Sequence, residues 1–336
     1  MKCINKMRLL CLCGIAAVFM SGCGQTVVSY DNPYDIYSTS ADYGLASEGA
    51  GSEKTYFSQN LCVADDVNIG NDTTDSQVAE GAGTFNLATN TVTYAQNIYE
   101  KLYPASTTKI LTAYIALKYG NLEDYVTVSE NAADQASDSS VCGLKAGDVV
   151  QLKDLLYGMM LKSGNDAAIA IAEHIGGSVE GFADMMNQEA LAMGASRSHF
   201  VNPNGLPDEN HYTSVYDLYL IFQNAVQDQT FLDIISTMSY DVVYTDVNGA
   251  GVERTWENTK TLWFTSTDKY LLGSAKAPEG VTVIGGKTGT TGAAGYCLVL
   301  YSYNASGQPI VSIVLKADGK SNLYLLMNEM LSGFAN

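Results

Sequence analysis

The sequence predicts an α/β chain of the α+β type: an antiparallel sheet built from both chain ends, flanked by helices, with a mainly helical insert between. Two observations carry this reading. Strand-like runs lie near the start of the folded part, at 78–95, and again in the last third, at 281–316. Between them the apolar residues fall mainly at helical spacing. Strands from both ends imply one sheet whose members are far apart in sequence, and no internal repeat competes with it.

At 336 residues the chain holds one large or two ordinary domains, and its 46% hydrophobic content supports a sizeable core. The formal charge is −18 with no lysine- or arginine-rich patch. Nucleic acid is therefore not an expected partner, and anionic lipid would repel the folded part.

The first 22 residues read as a signal segment. Lys2, Lys6 and Arg8 precede an apolar run from Leu9 to Met20 that is too short for a stable span. The run ends Met20-Ser21-Gly22-Cys23, which resembles a bacterial lipoprotein cleavage box, with Cys23 as the lipidated new N-terminus. An ordinary secretory signal is the alternative, and the position of Cys23 favours lipidation. Cleavage there removes three cations and no acid, taking the charge from −18 to −21. Residues 23–56 follow with little periodicity and an excess of acids, as expected of a disordered tether. The folded domain is placed at 57–336. Of the seven cysteines, Cys62, Cys142 and Cys297 remain in it. Buried thiols are expected, with a Cys62–Cys142 bridge as the alternative. No cysteine has a ligand-spaced partner, so neither metal nor cofactor is expected.

Along the domain, Val78–Leu87 and Thr91–Ala95 read as a hairpin across an Ala-Thr-Asn turn. A helix follows Pro104, whose missing N–H costs nothing at a first turn. Helical spacing continues in Gln151–Met160, Asn165–Ile175, Val179–Met193, Ser214–Gln227 and Phe231–Met238, several with Asp, Asn or Ser near their starts. A small hairpin is expected from Val242–Asp246 and Gly251–Thr255. The strands Val281–Lys287, Gly295–Tyr303 and Pro309–Lys316 then precede a closing amphipathic helix, Leu323–Leu331.

Chemistry concentrates at Ser106-Thr107-Thr108-Lys109. At i,i+3 spacing the lysine amine shares a helix face with the serine hydroxyl, and the N–H groups of a helix start favour developing negative charge. Ser-x-x-Lys is a common pattern, and Ser266-Thr267-Asp268-Lys269 matches it equally well. Partners must decide between them. Ser163-Gly164-Asn165 is one of four Ser-x-Asn matches, but it falls between two helical runs, where a glycine turn could present both side chains to a cleft. Lys287-Thr288-Gly289 occurs once, before Thr290-Thr291-Gly292.

In this order, Ser-x-x-Lys, Ser-x-Asn and Lys-Thr-Gly resemble the signature of class A β-lactamases and penicillin-binding proteins. More narrowly, Pro104–Thr112, Leu161–Ala167, Phe200–Leu206 with His211-Tyr212-Thr213, and Gly286–Gly295 resemble the D-alanyl-D-alanine carboxypeptidases of the low-molecular-mass penicillin-binding proteins. The resemblance covers about 78–334. It implies the β-lactamase/DD-peptidase fold and a serine hydrolase removing the terminal D-Ala of peptidoglycan stem peptides, with β-lactams as covalent inhibitors. It also implies roles. Ser106 would be the nucleophile and Lys109 its base, Ser163 would relay a proton, and Asn165 would hold substrate and Lys109. Lys287 and Thr288 would bind the substrate carboxylate, Gly289 would allow close backbone approach, and the N–H groups of Ser106 and Thr290 would form the oxyanion hole. Lysine chemistry also follows from the residues themselves: His174, His199 and His211 lie outside the blocks bearing nucleophile or anion-binding groups, so a base for Ser106 must be an amine made neutral by burial and a nearby cation.

The chain departs from the family where relatives often carry an arginine after the penultimate strand. Here the region reads Lys316-Ala317-Asp318-Gly319-Lys320, and lysine lacks the bidentate fork. Two rivals remain: a β-lactamase, for which Arg197–Asn202 supplies no deacylating acid, and a non-catalytic binding lipoprotein. Transfer of the acyl group to an amine is a third outcome on the same acyl-enzyme. A monomer, extracytoplasmic and tethered to the bacterial membrane by its N-terminal lipid, is expected.

Overall fold

In the computed structural model, residues 59–70, 76–245 and 259–335 are described. The signal segment, Cys23 and the whole of the tether lie outside them. From Asn60 onward the chain forms one unit.

The chain opens with β1 (Ala79–Asn86) and β2 (Thr91–Gln96), followed by α1 (Lys109–Tyr119), β3 (Tyr125–Thr127), α2 (Glu130–Ala133) and β4 (Val149–Gln151). Then come α3 (Leu152–Leu161), α4 (Asn165–Gly176), α5 (Val179–Ala192), α6 (Val215–Ala225) and α7 (Gln229–Ser236). The chain closes with β5 (Ser239–Thr245), β6 (Thr259–Thr265), β7 (Thr282–Thr291), β8 (Gly295–Tyr303), β9 (Pro309–Ala317) and α8 (Lys320–Ser332).

The main sheet is antiparallel in the order β2-β1-β9-β8-β7, so the two ends of the domain meet where β1 pairs with β9, from Ala79 opposite Ala317 to Asn86 opposite Ile310. Both faces are covered, which is why β8 reads as a nearly continuous apolar run rather than an alternating one. Leu298 and Leu300 pack with Leu323, Leu326 and Met327 of α8. Val299 and Ile313 belong to the larger core on the other face, with Phe85 and Tyr219 stacked at 4.1 Å. Strands β7 and β2 are the two edges of this sheet.

Helix starts follow their caps. Ser178 accepts from the Gly181 N–H, Ser214 from Asp217 and Asp228 from Thr230 and Phe231, each satisfying amides that the first turn leaves unpaired. The Asp228 cap also sets α7 two residues earlier than the spacing of Phe231–Met238 suggests.

The expected sheet from both chain ends is the five-stranded one; beside it a second, four-stranded sheet, which the sequence did not indicate, has the order β3-β4-β5-β6. Strands β3 and β4 have three residues each, too few to show a period. The partner of β5 is β6, with Ser239 opposite Thr265 and Thr245 opposite Thr259; the expected partner Gly251–Thr255 lies outside the described residues. Cys62, Cys142 and Cys297 are buried free thiols, without the alternative bridge.

Candidate active site

Ser106 lies in a 3-10 turn, Ala105–Thr108, that leads into α1, so it precedes the α-helix proper. Ala105 is in the left-handed region at φ 49°, an unfavourable conformation for a residue with a Cβ. Lys109, the first residue of α1, is completely buried. Its Nζ lies 3.1 Å from Ser106 Oγ and donates to Asn165 Oδ1 at 2.8 Å and the Asn204 carbonyl at 2.8 Å. Burial, with the Lys287 cation adding to it, holds the Lys109 amine well below its ordinary range. Among the described residues no carboxylate forms an ion pair with it.

Ser163 ends the connection from α3 to α4 at φ 62°, and Gly164 follows because a Cβ there would sit 2.3 Å from Cys142 Sγ. This turn aims Ser163 and Asn165 the same way. Asp166 supports it: its carboxylate accepts the N–H groups of Cys142, Gly143 and Leu144 at 2.8, 2.9 and 3.1 Å, fixing the preceding loop. Lys287 is 1% exposed and donates to Ser163 Oγ at 3.1 Å and to its neighbour's carbonyl, Thr288 O, at 3.0 Å. Burial pulls its amine down to about 7, against an opposing pull from Asp268.

Lys287, Thr288, Gly289 and Thr290 lie within β7, which continues to Thr291 instead of ending near Lys287. A Cβ on Gly289 would come within 2.9 Å of Ser106 N and 3.1 Å of Pro104 O, so glycine is what lets the edge strand touch the serine turn. From the other side, Asn202 Oδ1 accepts the Gly205 N–H and Thr112 Oγ1 donates to Pro203 O. His211 accepts the Val201 N–H at Nδ1, so its neutral ring donates from Nε2 to Thr108 Oγ1 at 2.9 Å. Burial lowers His211 to about 4, the state expected of a structural residue.

The cleft has two lobes meeting at Ser106. One, of about 180 Å³, is lined by Ser163, Thr288, Thr290 and Lys320 among others. The second, of about 340 Å³, is lined by Ser140, Asn165, Leu206, Thr290 and the single acid Asp138. Lys316 is elsewhere, paired with Glu80 at 2.7 Å. The structure thus brings together Ser106, Lys109, Ser163, Asn165, Lys287, Thr288, Gly289 and Thr290. Cys23 is outside the described residues. Sequence reasoning missed Asp166, whose only signal is its place at a helix start, and the carbonyl of Asn204, which has none. The competing Ser266 does not line the cleft, although its neighbour Thr267 does, and its Oγ accepts the Asp268 N–H.

A serine beside a buried amine, on a helical unit against an antiparallel sheet with a second lysine on its edge strand, defines the active-site-serine peptidases of the penicillin-binding type. The chain belongs to the D-alanyl-D-alanine carboxypeptidase family, whose signature matches residues 71–319. It is 37% identical over 216 residues to the D-alanyl-D-alanine carboxypeptidase DacF of Bacillus subtilis, covering 62% of this chain and 50% of that protein. A D-alanyl-D-alanine carboxypeptidase of Streptomyces is 31% identical over 248 residues, covering 70% of this chain and 80% of the relative. The crystal structure of a Streptomyces DD-transpeptidase superimposes with a TM-score of 0.69 at 28% identity, over 81% of this chain and all of that one. The chain spans about half the length of the Bacillus relative and 58% of DacA of Haemophilus influenzae.

Proposed function

We propose that the protein removes the terminal D-Ala from peptidoglycan stem peptides through an acyl-enzyme on Ser106. The observation that carries the reading is Lys109: completely buried, 3.1 Å from the serine hydroxyl and without a paired carboxylate among the described residues, it is built to be a neutral amine. It takes the Ser106 proton as Oγ attacks the carbonyl of the penultimate D-Ala. The N–H groups of Ser106 and Thr290 receive the developing oxyanion. Ser163, held by Lys287, passes a proton to the departing D-Ala amine. Lys287 and Thr288 bind the substrate carboxylate, with Lys320 of the same lobe as a second point charge where relatives often use arginine. Asn165 holds Lys109 and a substrate amide, and Gly289 keeps the edge strand close enough for the substrate to lie along it.

Water then releases the product, while an amine in its place would give transpeptidation. No acid of the Arg197–Asn202 segment serves this step. Phe200 is buried, Asn202 caps the Gly205 turn, and the Arg197 N–H and Ser198 hydroxyl bond Asp217. Penicillin should therefore acylate Ser106 and remain. The segment before the domain suits a lipid-anchored, extracytoplasmic monomer, with Cys23 carrying the lipid; no described helix is long and apolar enough to cross a membrane.

The test is D-Ala release and labelling by fluorescent penicillin, with wild type beside Ser106→Ala. Release and a stable adduct in wild type, both lost in the variant, support the reading. Equal activity in both would refute Ser106, and rapid penicillin turnover without an adduct would favour a β-lactamase.

A further inference from the structure

The Ser266-Thr267-Asp268-Lys269 segment is unused by the chemistry above, yet it lies against it. Thr267 Oγ1 is 2.6 Å from Thr288 Oγ1, placing the segment beside the Lys-Thr-Gly strand. Ser266 accepts the Asp268 N–H, and Lys269 extends over the Tyr324 ring at 4.9 Å, so both ends of the motif are occupied structurally. Asp268 between them is 1% exposed. Its Oδ1 accepts the Tyr270 N–H at 2.9 Å, but Oδ2 has no hydrogen-bond partner. A buried carboxylate with one oxygen unpaired is costly unless a cation compensates it at longer range.

The cation is Lys287. Among the described residues, three groups interact with Asp268 electrostatically, Lys287 from β7, Tyr270 from its own segment and Tyr324 from α8, and of these only Lys287 can be positive. The two tyrosines carry no charge near neutral pH; burial first, then each other and Asp268, keep Tyr270 protonated. We propose that Asp268 is a positioning residue that keeps Lys287 charged, and that Lys287 in turn keeps Lys109 neutral and holds Ser163. The inference rests on the acyl-transfer reading of Ser106. Three side chains then alternate: a carboxylate behind the strand, an ammonium at the strand and a neutral amine at the nucleophile. Asp268 acts on Lys109 only through Lys287, since the titratable groups that reach Lys109 are Lys287, Asp166 and the buried, neutral Cys142 thiol, and Asp268 is not among them.

The sign follows directly. Burial raises Asp268 to about 6, so below pH 6 wild type already lacks its charge and resembles a neutral variant. Above pH 6 the carboxylate supports the Lys287 proton, and Asp268→Asn removes that support. In kcat/KM, which reports the free enzyme, the alkaline limb set by Lys287 should move down by about one pH unit, while the acid limb set by Lys109 stays. At pH 8.5 this is roughly a tenfold loss; at pH 5.5 the two proteins should agree within about twofold. Asp268→Glu should restore the limb, and Asp268→Ser provides a second neutral variant.

Coincident alkaline limbs, or a loss equal at every pH, would overturn the proposal and leave Asp268 a packing residue. If no neutral variant folds, wild type labelled with carbon-13 at lysine decides: the Lys287 resonance, assigned by its loss in Lys287→Met, must show an inflection near the Asp268 titration, and its absence refutes the coupling. Wild type that neither releases D-Ala nor binds penicillin defeats the acyl-transfer reading instead, whereas the resonance measurement needs no activity and still judges the Asp268–Lys287 pair.

Discussion

Gly289 packs against Ser106 so closely that it leaves no room for a side chain: a Cβ built on the glycine would lie 2.9 Å from the serine nitrogen and 3.1 Å from Ala105 Cβ. The edge of the main sheet and the turn bearing the nucleophile are thus held too close for a side chain on the strand to fit between them without displacement. Gly289→Ala must push β7 from the turn by a few tenths of an ångström or more. Since a displacement near 1 Å can cost about 10²-fold in rate, we expect penicillin acylation to slow about 10–100-fold. Tm should change by only a few degrees, because the clash lies at a sheet edge. Stopped-flow acylation and thermal melts check the pair of outcomes.

Lys287→Met should trade activity for stability. In the unfolded chain this amine is charged up to about 10.5, in the folded protein only up to about 7. Between those values the unfolded chain binds the extra proton, so ionisation opposes folding. The opposition grows as pH falls from 10.5 to 7 and is constant below. The methionine variant escapes it, so its Tm at pH 6 should exceed that of wild type by roughly 2–8 °C. The gap should narrow toward pH 10, where Asp268 has also lost its counter-charge. Calorimetry across this range is the check, and a gap that widens with pH would contradict the assignment.

Lys320→Ala addresses carboxylate recognition. Lys320 shares the smaller lobe with Thr288 and Ser163, whereas Lys316 is engaged with Glu80. Removing a partly exposed point charge should raise KM for a peptide ending in free D-Ala about 3–10-fold and change kcat less. Lys316→Ala should leave both constants near wild type. A reversed pattern would move the second cation to Lys316.

His211 predicts acid sensitivity. Its folded value is about 4 against 6.5 in the open chain, so below pH 6.5 the unfolded state gains a proton the folded state refuses. Stability contributed by the neutral ring is then lost as pH falls from 6.5 to 4, up to about 3 kcal/mol. His211→Gln should melt lower at pH 7, by about 1–2 kcal/mol of lost hydrogen bonding to Thr108 and Val201. Its further loss between pH 7 and pH 4 should be smaller than in wild type. Melts at the two pH values test both halves.

The helices from Leu152 to Ala225, the hairpin of β1 and β2 and the strands β8 and β9 were legible in the sequence because caps, turns and apolar periods are local. The four motif blocks were legible because their order is itself linear information. Strands β3 and β4 were not, being too short for a period, and β6 took a partner that no local turn chemistry marks.

For the site, the sequence by itself determined which residue types were available: one proline-led Ser-x-x-Lys, one Lys-Thr-Gly and no histidine in their blocks. Only the tertiary structure decided how they are charged. Lys109 and Lys287 are 178 positions apart; Lys109 is depressed by burial and by the nearby Lys287, and Lys287 by burial against the opposing pull of Asp268, none of which spacing encodes. The second Ser-x-x-Lys shows the same division. As a sequence it is indistinguishable in pattern from the first, and folding engages its serine with the Asp268 N–H and its lysine with the Tyr324 ring while burying Asp268 within electrostatic reach of Lys287. Charge state in a protein interior is set by desolvation and neighbours, and both exist only after the chain has folded.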